Sequence, residues 1–475
     1  MTNRKLSLII GALLGSTFAA VPAMAADLLD VYRLAQQNDP EIAIAEGNFR
    51  AAAEASPQAR AAYLPQISIN GSYTLLNETD STSDEVNFQD DGSVQVIPGI
   101  DSMRDSDGWN ASLNLRQTIF NWSRVKEISR ASADVARAEA EFTAAQQNLI
   151  VRVAERYFNL LAAQDSLEAA RINREAIGQQ LDQTRRRFDV GLIAITDVQE
   201  SQAAFDQATA EMIAAERTLN TARENLRAII GEYVDQVARP KADMPLASPQ
   251  PESADEWVQR ALEQNLTVIA NRFAVESAEA ETDIARSGHL PTVDLVARRT
   301  ETDSTTRSSY FGGTLPPLDS RSTQDYVGVE FSIPLFSGGA TSSQTRAAAY
   351  RTSAARSTLV QAMRNAEATA RDTYLGVISD ISRVEALRQA YRSAQTALRA
   401  TEAGYEVGTR TAVDVLDARR NELQALVAYQ RARYDYLLNN LRLKQAAGIL
   451  SVQDVEQIAQ WMEESAGMTE TVDNG

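Results

Sequence analysis

From Ser123 to Val190 the chain places Ile128, Ala131, Val135, Ala138, Phe142, Ala145 and Leu149 at alternating spacings of three and four. That period is a coiled-coil seam, with alanine at every second core position. The phase then jumps by four to Val153, Leu160 and Leu167, a stutter that locally unwinds a supercoil. A helix of about 65 residues is roughly 100 Å long at 1.5 Å per residue. Nothing that long belongs inside a compact domain, and such a helix cannot bury its seam alone. After a break at Gly191 the spacing resumes through Phe205, Ala208, Met212, Ala215, Leu219, Ala222, Leu226 and Ile229. An ordinary coiled coil without a pore also satisfies this pattern.

The pattern is written twice. Asn38 corresponds to Asn265, Leu64-Pro65 to Leu290-Pro291, Phe120 to Phe336 and Val190-Gly191 to Val407-Gly408, at offsets of 227, 226, 216 and 217. From the glycine pair onward the offset holds, pairing Asp197 with Asp414 and Gly231 with Gly448. The one large slip places an insertion in the first copy within Asn77–Gly108. This is a single internal duplication rather than a many-fold solenoid. Val377, Val384, Tyr391, Leu398 and Tyr405 step by seven along the second long helix.

Each copy begins with a helical stretch, Leu28–Ala62 and then Ala254–Ser287, stopped by Leu-Pro. Two alternating runs around a polar loop follow. Ile67, Ile69, Gly71, Tyr73 and Leu75 form one apolar face, and Trp109, Ala111, Leu113 and Leu115 another. In the second copy Val327, Val329, Phe331, Ile333 and Leu335 alternate clearly, while Val293–Thr302 is weakened by the adjacent Arg298 and Arg299. Period-two alternation marks strands with one apolar face, and about ten residues cross a bilayer when tilted. A soluble sandwich shares the alternation; export and long polar loops favour the membrane.

Export is read from the start of the chain. Arg4 and Lys5 precede an apolar run, Leu6–Ala20, and Val21-Pro22-Ala23-Met24-Ala25 ends in a small-x-small site, so a signal peptide is cut after Ala25. An uncleaved membrane anchor is the alternative. Ala26 follows the cut, so no lipidated cysteine forms there. No other stretch approaches the roughly 18 apolar residues of a membrane helix, so membrane entry must use strands. Lipid cannot satisfy backbone hydrogen bonds, so a spanning sheet must close on itself. Four strands are too few for a barrel, which needs about eight or more. The chain must therefore oligomerise, and arithmetic leaves two, three or four copies open.

Composition removes several activities. With no cysteine there is no disulfide, thiolate zinc site or cysteine nucleophile. The single histidine, His289, stands at a helix-to-strand junction without a nucleophile motif, so no enzyme is expected. A formal charge of −18 suits nucleic acid poorly. No phosphate-binding loop is present, and no cofactor is expected. Trp109 and Trp122 flank the second strand as interfacial belt or packing residues; Trp257 and Trp461 sit in helical runs.

The organisation is a leader over 1–25, a first repeat over 26–231, a linker over 232–253, a second repeat over 254–450 and a closing segment with a disordered tail over 451–475. Strands are expected at about 66–76, 109–120, 292–302 and 326–336, and long helices at about 123–190, 197–231, 340–407 and 414–448.

Two motifs carry a resemblance: Phe188-Asp189-Val190-Gly191-Leu192-Ile193-Ala194-Ile195-Thr196-Asp197-Val198-Gln199, and Tyr405-Glu406-Val407-Gly408-Thr409-Arg410-Thr411-Ala412-Val413-Asp414-Val415-Leu416-Asp417-Ala418. With the Leu-Pro breaks, Ser337-Gly338-Gly339 and Gly448-Ile449-Leu450, the chain resembles the TolC family of outer-membrane efflux and secretion ducts from roughly Asp27 to Met462. The resemblance implies a mainly α fold with a membrane β-barrel, in which a homotrimer builds 12 strands and a tunnel of antiparallel helices through the periplasm. Glu232–Pro251 and Ser451–Met462 would form an equatorial belt. The implied function is a passive exit duct for type I secretion or multidrug efflux, set in outer-membrane lipid. A periplasmic adaptor and an inner-membrane ABC or proton-driven pump would recruit it. A pore-less periplasmic coiled-coil adaptor is the competing reading.

The residues to weigh lie at the two helix breaks. Gly191 and Gly408 are expected to turn left-handed past a helix end, and Thr196-Asp197-Val198-Gln199 reads as a capping box. Asp197 and Asp414 could simply offset helix dipoles; Asp414 and Asp417, three apart, share a helical face. The family resemblance assigns Asp197, Tyr405 and Arg410 to links that hold the periplasmic entrance shut, and Asp414 and Asp417 to an acidic constriction. Arg185-Arg186-Arg187 reads as solvated surface rather than adaptor contact.

Overall fold

The computed structural model describes residues 26–89, 92–97, 101–234, 236–310 and 313–463. The expected leader and the tail beyond 463 lie outside the described residues. The first copy contributes α1 (Leu28–Asn38), α2 (Pro40–Ala53), α3 (Ala55–Ala61), long strands β1 (Gln66–Ser81) and β2 (Asp101–Asn121), then α4 (Trp122–Asp189) and α5 (Ile195–Ile230). The second contributes α6 (Ala254–Gln264), α7 (Leu266–Ser287), long strands β3 (Thr292–Tyr310) and β4 (Leu318–Ser332), then α8 (Ala340–Glu406) and α9 (Ala412–Ala446), with α10 (Val452–Gln460) after them. No described helix is long and apolar enough to cross a membrane.

The expected single opening helix is broken. Asp39 takes an extended ψ of 117° between α1 and α2. Pro40 forces this, because a residue before proline is excluded from the helical region. Asn265 is extended at the matching place, with ψ 124°, without any proline. The duplication explains the shared break. Asn38 donates its side-chain N–H to the Ile230 carbonyl at 2.9 Å, and Asn265 donates to the Ala446 carbonyl at 2.9 Å. Each asparagine thereby satisfies an orphan carbonyl at the end of the last long helix of its own copy.

The chain divides into two compact units. One comprises, among the described residues, 26–44, Ala144–Asn265 and 366–463. Its core is the middle of α4, from Leu149 to Leu167, against the end of α9, from Ala432 to Leu443, roofed by α1 and α10. Phe158 stacks on Tyr434 with ring centroids 5.9 Å apart. The strand-poor segment before α6 is pinned to this core by polar groups. Tyr157 donates to the Ala238 carbonyl at 2.7 Å, Tyr434 donates to the Asp165 carboxylate at 2.7 Å, and Arg239 pairs with Asp165 at 2.6 Å. Burial pushes the Asp165 carboxyl up from its usual range, while Arg239, the Tyr434 hydroxyl and Arg433 hold it down.

The other unit comprises Ala45–Thr143 and Leu266–Asn365. Its four long strands pair antiparallel in the order β1–β2–β3–β4, with β1 and β4 at the edges. Register sets like against like: Ile67 faces Leu115, Ile69 faces Leu113, Tyr73 faces Trp109, and Val293, Leu295 and Ala297 face Phe331, Val329 and Val327. These side chains point away from any core; Ile69 is 78% and Val327 75% exposed. The opposite face is polar, with Asn110 donating to Thr302 at 2.8 Å and Arg298 to Asn114 at 2.7 Å. The adjacent arginines that weakened the third run are thus split between faces, Arg299 pairing with Asp325 at 3.8 Å. Three strands run well past the alternating stretches, because polar residues continue the ladder. The fourth starts earlier than expected, at Leu318, and stops at Ser332 rather than near Phe336. Pro334 has no N–H to donate, so Ile333, Leu335 and Phe336 leave the sheet exposed.

In the same unit the first turns of α4 are tied to α7 by Lys126–Asp283 at 2.8 Å and Arg130–Glu281 at 2.6 Å. The seam there is only partly covered. Ala131 is buried, whereas Ile128, Val135, Ala138 and Phe142 remain half-buried in a single chain.

Gly191 and Gly448 share a φ of +75°, where an L-residue is strained by about 1–2 kcal/mol. Around Gly191 there is open space, whereas a Cβ on Gly448 would land on the Gln264 carbonyl. Gly191→Ala should cost about 1 kcal/mol and Gly448→Ala roughly 3 kcal/mol or more. Thermal loss of helical circular dichroism in detergent should show a small shift for the first and a large one for the second.

Candidate functional site

Both long helices end the same way. Gly191 N–H donates to the Phe188 carbonyl at 2.8 Å and Leu192 N–H to Arg187 at 2.9 Å. Gly408 N–H donates to Tyr405 at 3.0 Å and Thr409 N–H to Gly404 at 2.8 Å. The glycines have φ of 75° and 82°, which closes each helix with a left-handed residue and satisfies its last carbonyls.

The restarts differ. α9 is opened by Thr411, whose hydroxyl accepts from Asp414 N–H at 3.2 Å while the Asp414 carboxylate accepts from Thr411 N–H at 2.8 Å. This is the reciprocal capping box. The box read in Thr196–Gln199 does not form: α5 already begins at Ile195, and its cap position holds Ala194, which has no side-chain oxygen to offer. Thr411 is the counterpart of Ala194 in the second copy, so duplication preserved the turn and only one copy kept the cap. The Thr411 N–H, then its hydroxyl and the charge of Arg410, hold the Asp414 carboxyl below the usual range.

Asp197, Tyr405, Arg410 and Asp417 line one cavity of about 860 Å³ between the α4–α5 turn and the α8–α9 turn. Asp414 is not among its lining residues. Tyr405 lies under the Arg187 guanidinium, 5.4 Å from ring centroid to charge. Its hydroxyl is buried without a hydrogen-bond partner among the described residues. Among the described residues no hydrogen bond or ion pair joins Asp197, Tyr405 and Arg410 to one another, although the fold gathers all three. Asp417 pairs with Arg420 at 2.6 Å, and Arg419 ties α9 to α8 through Glu402 at 2.6 Å.

Sequence reasoning missed three participants. Arg187, read as solvated surface, packs on the Tyr405 ring; Arg185 turns away to pair with Gln202 at 2.6 Å. Glu200 and Arg420 also line the cavity, and their signal was present as i, i+3 neighbours of Asp197 and Asp417. No described cluster of His, Asp or Glu is arranged for a metal ion.

A depressed carboxyl contributes its stabilisation above its unfolded pKa and loses it as pH falls through the folded value. The α9 start should therefore stay closed at neutral pH and fray only below the ordinary aspartate range. At neutral pH Thr411→Ala should speed amide exchange at Val413–Val415 roughly five-fold, the usual worth of a cap. The gap between variant and wild type should narrow once Asp414 is protonated, leaving the share of the Thr411 hydroxyl bonded to the Asp414 N–H, and exchange mass spectrometry corrected for intrinsic rates reads both.

With this geometry in hand, the comparisons are specific. The outer membrane efflux protein family matches residues 31–232 and 257–449, one segment for each copy of the duplication. Outer membrane protein TolC of Vibrio cholerae is 35% identical over 460 residues, covering 96% of this chain and 98% of that protein. The alkaline protease secretion protein AprF of Pseudomonas aeruginosa is 30% identical, covering 92% and 87%. Among solved structures, CusC superposes with a TM-score of 0.70 at 17% identity, over 89% of this chain and 92% of that one. VceC of Vibrio cholerae gives 0.67 at 20% identity, over 89% and 96%, which supports the fold alone. The doubled match over nearly the whole chain, on a sheet with an outward apolar face, shows that the chain belongs to the outer membrane efflux protein family and is an outer-membrane exit duct.

Proposed function

We propose that three copies of this chain assemble the duct, each giving four strands to a 12-stranded barrel and four long helices to a periplasmic tunnel. The observation that carries this is the sheet, whose outward face is apolar and whose edges, β1 and β4, have no partner strand among the described residues. In lipid an open edge leaves backbone groups unsatisfied at several kcal/mol each, so copies must close it. The half-buried seam of α4 asks for the same neighbours. A pore-less adaptor would have no use for such a face. The name of one relative, an alkaline protease secretion protein, supports proteins as cargo, and the family's description as efflux proteins supports expulsion of other compounds. The duct takes its energy from an inner-membrane pump through a periplasmic adaptor, in keeping with a sequence that carries no phosphate-binding loop.

The entrance is held by Asp197, Tyr405 and Arg410, with Gly191 and Gly408 shaping the two turns. What supports this is their convergence on one cavity with their bonding capacity unspent, so that closure of the helical ring can supply partners. Asp414 and Asp417 are assigned to the constriction. In one chain the capping box uses one oxygen of Asp414 and Arg420 uses one of Asp417, so each carboxylate keeps a second oxygen to present to the pore.

In planar bilayers Arg410→Ser and Asp197→Ala should each raise single-channel conductance several-fold. Unchanged conductance from an intact oligomer would sink the gate assignment. The Asp414→Ala/Asp417→Ala pair should lose block by a trivalent cation added on the periplasmic side, and block at the wild-type concentration would remove the constriction assignment. Light scattering in detergent checks the oligomer and should return three chains.

A further inference from the structure

The cavity at the entrance has properties that the gate reading leaves unused. Its volume of about 860 Å³ lies in the range of small-molecule sites, far beyond what a single water requires. Ile177, Ile193, Val413 and Leu416 give it apolar wall. Its charged lining is unbalanced, with five carboxylates (Asp197, Glu200, Glu211, Glu406 and Asp417) against the guanidiniums of Arg187, Arg410 and Arg420. Arg420 is already taken by Asp417. Asp197, Glu200 and Glu406 have no side-chain hydrogen bond or ion pair among the described residues, and the Tyr405 hydroxyl is buried without one. Asp197 and Glu200 stand one turn apart on the same face of α5.

We propose that this cleft binds an organic cation with an aromatic or apolar body, its charge between Asp197 and Glu200 and its body against Tyr405 and the apolar wall. The charge imbalance selects a cation. The volume and the apolar wall select an organic one, whose body reaches the Tyr405 ring beside Arg187. The site lies in the wall between two helix pairs of one chain, so its occupant is a wedge rather than cargo in passage. Its consequence rests on the gate reading: a cation beside Asp197 competes with Arg410 for that carboxylate. A ligand that binds the loosened state more tightly shifts the entrance toward opening by that difference in affinity.

The probe is tetraphenylphosphonium, titrated calorimetrically into the full-length protein in detergent, with tetraphenylborate as the anion of the same shape. One cation should bind per chain, more weakly as salt rises. Glu200→Gln should weaken binding roughly ten-fold, as loss of one close charge does, and Ala204→Phe, which fills the cleft, should abolish it. Equal binding of tetraphenylborate would overturn the proposal. So would one cation per three chains unaffected by Ala204→Phe, which is binding in the lumen, or no saturable binding up to about 1 mM, the weak limit of specific sites. Conductance of Arg410→Ser separates the two readings. If that variant opens and the cation does not bind, the site alone is wrong; if the cation binds and the variant stays closed, the site stands and its effect on the gate falls.

Discussion

Everything in this molecule follows from one unmet requirement, the hydrogen bonds of two sheet edges. Water would satisfy the free N–H and C=O groups of β1 and β4; hydrocarbon cannot. The outward rows of Ile67, Ile69, Val327 and Val329 commit the sheet to hydrocarbon, so the edges commit the chain to copies of itself. The same logic runs through the helices. Alanine at alternate seam positions lets helices approach closely, and a seam left half-buried in one chain is surface reserved for a neighbour.

Duplication turns one solution into two and then lets the copies diverge. The asparagine-to-carbonyl clasp is conserved in both, Asn38 to Ile230 and Asn265 to Ala446. The glycine turns are conserved as well. The cap is not: Thr411 locks the start of α9, while Ala194 leaves the start of α5 without a side-chain acceptor. Two turns of the same backbone shape therefore differ in local stability, which is how a nearly symmetric repeat can give its two helix pairs different mobility. The polar clamp of Asp165, Tyr434 and Arg239 works in the other direction. A buried carboxylate with its partners in place is costly to disturb, so it fixes the segment before α6 against α4 and α9.

The cavity between the two helix breaks shows what a single chain can and cannot contain. Asp197, Tyr405 and Arg410 line one cavity, yet among the described residues none bonds another. An exposed carboxylate such as Asp197 is held by water until a better partner completes it. Neighbouring chains or a bound cation are the two ways to complete it, and they act on the same carboxylate.

Much of this was legible in the residues alone, because periodic signals survive without tertiary context. Spacings of three and four from Ile128 to Leu149 specify a long helix, alternation from Ile67 to Leu75 specifies a strand, and the offset between Gly191 and Gly408 specifies a repeat. Pro40 and Pro334 each marked a boundary that local chemistry enforces and the periodic reading passed over. What the sequence could not carry was anything set by pairs distant along the chain. The length of the strands depended on polar residues finding ladder partners, and Arg187 became part of the cavity lining only because α8 brought Tyr405 beneath it. Likewise Asp165, a charged residue amid a buried stretch, made sense only once Arg239 and Tyr434 arrived from 74 and 269 residues away. Period and composition are local properties and determine element types and their need for partners; which charges meet is a property of packing, and only the tertiary structure decided it.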